Sequence, residues 1–481
     1  MKKIICIASV LLALSACHRD EDGTFSIAPN TLHFEAGGGT QSVKIHSNLH
    51  WEITTDNQTW YTVTPSSGSG DADIKIEVAS YDEAQGRSAQ ITFKAGGFLE
   101  TLALVQARPA VPANPEALTC KVYSYEQDIT IDVPAEFAYK AVLPEDAGYL
   151  TVVSSEKGKL TLHLAANTTA ENRMAEISIQ TSAGEVIETV SLTQSWRNIE
   201  PHELLFEEIF FTGNLLPGGT GSDSSEGDQY FKLTNNTDHT IYADGLLIAF
   251  SETDSQKTSV GAFWAYPEQK DSIGVSSIYR IPGSGKEVEV KAGESLLLAL
   301  AAQNFSKDNP NGFDLSVADF EFYDENDLYP DTNNPDVRDL LCWFKSSWSI
   351  TGLHDRGFES YAIAVAPATV TVDSFIADYK WVGKRVFDWN GHHVEQDIKG
   401  AYLIPNTWVI DGVNCALEET LNVLAFNPSI DAGYAHVGKT DKDPERYGKS
   451  VRRMKGADGK FPDTDNSTND FAPDATPTLK K

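Results

Sequence analysis

The feature that most constrains this chain is a two-residue alternation of apolar and polar side chains, in short runs separated by turn formers. Gln41-Ser42-Val43-Lys44-Ile45, Ile74-Lys75-Ile76-Glu77-Val78 and Ala89-Gln90-Ile91-Thr92-Phe93 are examples. Successive residues of a strand point to opposite faces, so each run offers one face to a core and one to water. Runs of this kind, broken by Gly, Ser, Asn and Asp every ~8–12 residues, predict a β-sandwich over 25–108. Pro109, Pro112 and Pro115 then mark a stiff linker over 109–117. A second sandwich is predicted over 118–196, and it repeats the ending of the first. Asn172 to Ile179 follows the same pattern as Gly86 to Phe93, and Val190-Ser191-Leu192-Thr193-Gln194 follows Leu102-Ala103-Leu104-Val105-Gln106.

The first stretch resembles a known family. Ile27-Ala28-Pro29, Leu32-His33-Phe34, Gly37-Gly38-Gly39, His50-Trp51-Glu52-Ile53, Trp60, Val63-Thr64-Pro65, Gly68-Ser69-Gly70 and Leu102 to Gln106 occur in the order of the BACON domain. That resemblance implies an immunoglobulin-like sandwich of Bacteroidetes proteins, often N-terminal and associated with carbohydrate. The second copy lacks the Trp pair and reads as a diverged BACON-like module.

After Glu200-Pro201 the runs become longer and more aromatic. Strands are predicted at Leu204 to Thr212, Gln229 to Leu233, Leu246 to Phe250, Glu287 to Val290, Leu296 to Ala301 and Ser360 to Val365, with a short helix within Ala416 to Phe426. Asp228 to Thr237 followed by Ile241-Tyr242-Ala243-Asp244-Gly245-Leu246 is similar to the lamin-tail sandwich. So are Ser450-Val451-Arg452-Arg453 and the tail from Asp463 to Pro477. Together they resemble a Bacteroidetes domain of unknown function found behind BACON modules. The expected fold is therefore all-β: two tandem immunoglobulin-like sandwiches, then a larger lamin-tail-like sandwich over 203–481 with long loops. The stretch between its motifs is expected to be mostly loop elaboration, where scaffolds commonly carry function.

The N-terminus reads as an export signal, 1–16. Lys2 and Lys3 precede an apolar run from Ile4 to Leu14, too short to span a membrane, which takes roughly 20 residues. It ends in Leu14-Ser15-Ala16-Cys17, which resembles a lipobox; the resemblance implies acylation of Cys17, and two or three acyl chains anchor stably. Asp20-Glu21-Asp22, within the tether 17–24, resembles the signal that sends Bacteroidetes lipoproteins to the outer face of the outer membrane.

A net charge of -31 argues against nucleic acid, whose phosphates require Lys and Arg. With Cys6 in the signal and Cys17 acylated, Cys120, Cys342 and Cys415 remain, an odd count that allows at most one intrachain bridge. Cys342 and Cys415 fall in one domain and are the candidates. No Gly-x-Ser-x-Gly elbow or His-Glu-x-x-His is present, and Ser284-Gly285-Lys286-Glu287 lacks the spacing of a phosphate-binding loop.

Two acidic loops, Asp324 to Asp336 and Asp463 to Asp470, combine hard oxygen donors with residues that bond their own backbone in turns. Asp463, Asp465, Ser467 and Asp470 are the candidate Ca²⁺ ligands. His392-His393 point to opposite faces if they lie on a strand, so one ion would rarely take both. Trp51 and Trp60 suit either a sandwich core or sugar stacking; Trp264, Tyr266, Trp343, Trp348, Trp381, Trp389 and Trp408 are candidate stacking residues of the third domain. The family context implies a non-catalytic, surface-exposed lipoprotein that assists a TonB-dependent uptake system for a glycan or a metal-bearing ligand, with the first two sandwiches as a stalk. The rival is a structural or adhesive envelope protein, and an enzyme comes third.

Overall fold

The computed structural model describes residues 23–83, 85–110, 117–135, 138–181, 184–219, 224–225, 227–256, 271–325, 328–347 and 349–479. Cys17, Asp20, Glu21, Asp22, Trp264, Tyr266 and Trp348 lie outside them, as does the side chain of Trp389. Among the described residues no helix is long and apolar enough to cross a membrane. The chain is all-β, with sandwiches as expected, and it divides into two compact units. One comprises Met1–Cys120, Asp128–Leu164 and Ala175–Ser191; the other comprises Lys121–Gln127, Ala165–Met174 and Leu192–Lys481.

In the smaller unit the first sandwich pairs two sheets. One is ordered Phe25–Ala28, Gly39–Ser47, Ala72–Val78, Tyr61–Thr64, and the other Thr31–Phe34, Phe98–Gln106, Arg87–Ala95, His50–Thr54, Ser67–Ser69. The alternation is realised literally: Ile74, Ile76 and Val78 are buried while Asp73, Lys75 and Glu77 are exposed. Val43, Ile45, Ile91, Phe93, Leu102 and Leu104 complete the core. The repeated Gln has a structural task. Gln106 donates through Nε2 to the carbonyls of Glu35, Ala36 and Ala79; within the larger unit, Gln194 donates to Ala165 at 3.0 Å. Each ties loop carbonyls to the end of a sheet. The smaller unit also holds the three-stranded sheet Gln127–Asp132, Lys159–Leu164, Leu150–Glu156 of the second sandwich.

Trp51 is core: it is 1% exposed, and its indole donates to the carbonyl of Gly70 at 2.9 Å. Its ring lies so close to Gly68 that a Cβ there would sit 2.4 Å from Trp51 Cζ2. Gly68→Ala is therefore expected to destabilise this sandwich by about 1–3 kcal/mol through overpacking, read from urea denaturation of the full chain.

The larger unit contains a sandwich of two seven-stranded sheets. The first is ordered Arg338–Asp339, Phe320–Glu321, Ser295–Ala299, Tyr230–Asn235, Leu204–Phe210, Ser450–Arg453, Phe471–Ala475. The second runs Lys380–Trp389, His392–Pro405, Ser272–Arg280, Leu247–Ser251, Tyr361–Ala364, Val409–Val413, with Leu341–Lys345 also on Ser272–Arg280. Phe206, Phe231, Phe250, Tyr279, Phe322 and Tyr361 fill the space between them.

Three expectations change here. The stretch expected to be mostly loops carries most of the second sheet. Its strand Leu247–Ser251 does not alternate because both faces are covered: Ile248 and Phe250 enter the central core, while Leu247 and Ala249 enter an outer cluster with Phe344, Phe375 and Trp408. Residues 416–426 form the end of the strand Cys415–Ala416, a turn and irregular chain instead of a helix; the longest helix described is Val372–Asp378, with a capping box between Thr371 and Ser374. Cys342 and Cys415 are not bridged. Cys342 is exposed on the strand Leu341–Lys345, whereas Cys415 is buried in the central core.

Candidate functional site

Segments that the sequence assigned to the second sandwich, 121–127 and 165–174, belong to the larger unit and help build its main cleft. Tyr123 donates to Glu203 at 2.7 Å, and the Ser124 amide donates to the Arg197 carbonyl at 2.9 Å. Asn167 closes a turn, accepting from the Thr169 amide at 3.1 Å and donating to the Glu171 carbonyl at 2.9 Å. Opposite it, Asp244 accepts from the amides of Gly285, Glu287 and Val288 at 2.8–3.1 Å. That carboxylate fixes the loop Gly283-Ser284-Gly285-Lys286. Gly283 must be glycine: its φ is +141°, and a Cβ would fall 2.2 Å from Asp244 Oδ1.

The cleft so framed has a volume of about 860 Å³. Three aromatic side chains line it, each braced from behind. Trp343 stacks on Phe375 of the helix, centroids 5.2 Å apart. Trp196 carries the Arg197 guanidinium over its ring at 4.4 Å. Tyr125 packs edge-on against Tyr242 at 5.3 Å under the Lys286 ammonium. Burial raises the Tyr125 hydroxyl to about 12, which keeps it a neutral donor. Arg280 also lines the cleft, its guanidinium lying over Gly245; among the described residues no hydrogen bond or ion pair engages it. Braced aromatic faces beside a planar set of free donors suit a ring with one apolar face and a polar edge.

Among the described candidate stacking residues, Trp343 is the one placed in this cleft. Trp408 is buried against Tyr379, and Trp381 lies half-buried in the strand Lys380–Trp389. Trp60 is partly buried and capped by Arg87 at 4.4 Å. Sequence reasoning missed Tyr125, Trp196 and Arg280. The one available signal was the position of Trp196 two residues after the repeated Gln194.

His392 and His393 sit exposed at a hairpin tip, where His393 Nδ1 lies 3.1 Å from Asp388. In the first acidic loop two carboxylates are engaged: Asp324 accepts from Tyr279, the Thr351 amide and Lys345, and Asp331 accepts from the amides of Asp324 and Thr332.

The second loop does not bring its four candidate calcium ligands together. Ser467 turns to Asp431, donating to it from amide and hydroxyl, each at 2.7 Å. Asp470 accepts from the Thr464 amide and hydroxyl and faces Arg453. Asp463 and Asp465 remain together and are joined by His202, all three offering ligand atoms within 4.8 Å of one another. Against the penalty of burial, His202 and Arg453 hold the Asp463 carboxyl below its usual range; burial raises that of Asp465, and Asp463 and Asp470 add to the effect.

Comparison with known families agrees with the sequence motifs. Residues 50–107 match the model of the BACON domain, described as an N-terminal binding domain, and residues 291–478 match that of a family of unknown function, DUF4876. The strands from Leu204 to Arg280 precede the second match but pair into the same sandwich. The chain thus combines a BACON domain with a C-terminal DUF4876 domain, a pairing that points to a surface-type binding protein of the Bacteroidetes. Among solved structures it is similar to a DUF4876 family protein from Bacteroides thetaiotaomicron, at 18% identity over 76% of this chain and 96% of that one, TM-score 0.44. It is also similar to a Bacteroides ovatus GH5 xyloglucanase in complex with a XXXG heptasaccharide, at 26% identity over 20% of this chain and 22% of that one, TM-score 0.18. No curated protein matches.

Proposed function

We propose that this chain is a non-catalytic binding lipoprotein of the outer membrane. Acyl chains on Cys17 anchor it, Asp20, Glu21 and Asp22 direct it to the cell exterior, and it assists a TonB-dependent receptor that takes up a glycan. A metal-bearing ligand is the alternative cargo. The two N-terminal sandwiches act as a stalk, and the larger unit meets the ligand. The observation that carries this reading is the cleft with Tyr125, Trp196, Trp343 and Arg280, whose guanidinium has no partner among the described residues. Support for the stalk comes from the first sandwich, where Trp51 is spent on the core and Trp60 is capped by Arg87.

The anchor is tested directly. Cys17→Ser is expected to abolish palmitate labelling and move the protein from the detergent phase to the aqueous phase; continued labelling refutes the lipobox. Replacing Asp20, Glu21 and Asp22 together by Ala is expected to shield the protein from protease added to intact cells, and undiminished cleavage refutes the display signal.

A further inference from the structure

Around Arg453 the larger unit gathers more negative than positive charge. Asp411, Asp463 and Asp470 pair with its guanidinium at 2.9–3.5 Å, and Asp465 stands beside Asp463. Four carboxylates therefore gather around one guanidinium. The excess is directional. Asp463 spends Oδ1 on Arg453 at 3.2 Å and turns Oδ2 toward His202 Nδ1 at 2.7 Å. Asp465 accepts no side-chain hydrogen bond among the described residues, while its carbonyl is tied to the Ala432 amide at 2.7 Å. One imidazole nitrogen, from the turn at 201–203, and two carboxylates of the loop after Pro462 therefore converge, with Arg453 holding Asp463 in place.

We propose that His202, Asp463 and Asp465 form a binding site for one first-row divalent transition metal ion of the zinc class. The donor set selects the ion. Calcium takes roughly 6–8 oxygen ligands, and Ser467 and Asp470 are committed to Asp431, Thr464 and Arg453. An imidazole with two carboxylates suits zinc, cobalt or nickel, and three protein ligands leave a coordination position open for water or a ligand group. The site is independent of the aromatic cleft.

Cobalt(II) alone, titrated into the full chain, is the probe. One equivalent is expected to bind, with visible d–d absorption that zinc removes and calcium does not. His202→Gln and Asp465→Asn, both on accessible side chains, are each expected to weaken binding about 100-fold or more, since loss of a mere outer-shell partner already costs 10–100-fold. Far-UV circular dichroism checks that both variants fold. X-ray absorption of the zinc-loaded native chain needs no variant and is expected to show one imidazole among N/O ligands at about 2.0–2.1 Å. Absence of cobalt binding, equal binding by both folded variants, displacement by calcium, or a zinc shell without imidazole each overturns the proposal.

Discussion

Replacing Arg453 by Met is expected to destabilise the larger sandwich by about 3–5 kcal/mol, the range for breaking a buried ion pair from one side. Arg453 ends the strand Ser450–Arg453 with a side chain only 1% exposed. Its Nη2 meets both oxygens of Asp411 at 2.9 Å, its Nη1 reaches Asp463 and the Pro462 carbonyl at 3.2 Å, and its Nε donates to the Phe206 carbonyl at 3.0 Å. Burial works against the charge, but Asp411, Asp463 and Asp470 outweigh it and raise the guanidinium's pKa. Methionine fills similar volume and leaves the Asp411 carboxyl, 2% exposed and already pushed up to about 7 by burial, without the cation that favours its charge. Arg453→Lys is expected to recover only part of the loss, because an ammonium cannot reproduce the planar, bidentate contact. Adding Asp411→Asn to Arg453→Met should restore stability by removing the carboxyl left without its cation. Urea denaturation of the three variants checks this; a loss below about 1 kcal/mol for Arg453→Met contradicts the role given to the pair.

How much of this was legible in the sequence differs from one part of the chain to another, for physical reasons. The first sandwich could be read because each strand has one wet face, so Ile74, Ile76 and Val78 alternate with charged residues. The repeated Gln106 and Gln194 could be read as a motif, and their burial explains why the motif exists. The second sheet of the large sandwich was legible only in part: Leu247–Ser251 and Tyr361–Ala364 could be read as apolar runs, whereas Ser272–Arg280 and Val409–Val413 were hidden because they are covered on both faces, which erases the two-residue period. The cleft was hidden because its walls come from distant segments: Tyr125 and Trp196 lie in a stretch that pattern assigned to another domain. His202 was missed for the same reason. It stands 261 residues from Asp463, and the acidic loop viewed alone suggests an all-oxygen site.

Trp343→Ala is expected to cost about 2 kcal/mol or more of ligand affinity, roughly 30-fold in Kd. Large aromatic side chains held in fixed rotamers act as binding anchors because little entropy is lost on contact, and Phe375 already holds Trp343 in a stacked geometry. Arg280→Ala should weaken the same ligand, since its guanidinium has no partner to release among the described residues. A fragment beginning near Pro201 is a poor test, because it would discard Tyr125, Asn167 and Trp196 from the cleft wall. The direct measurement uses the whole chain, made unacylated by Cys17→Ser, on a panel of neutral and uronic-acid polysaccharides, followed by calorimetric titration of the best binder. The account predicts saturable binding that Trp343→Ala weakens roughly 30-fold or more and Trp60→Ala leaves unchanged. Binding abolished by Trp60→Ala and intact in Trp343→Ala would contradict it, returning recognition to the BACON domain and leaving the larger unit without its ligand.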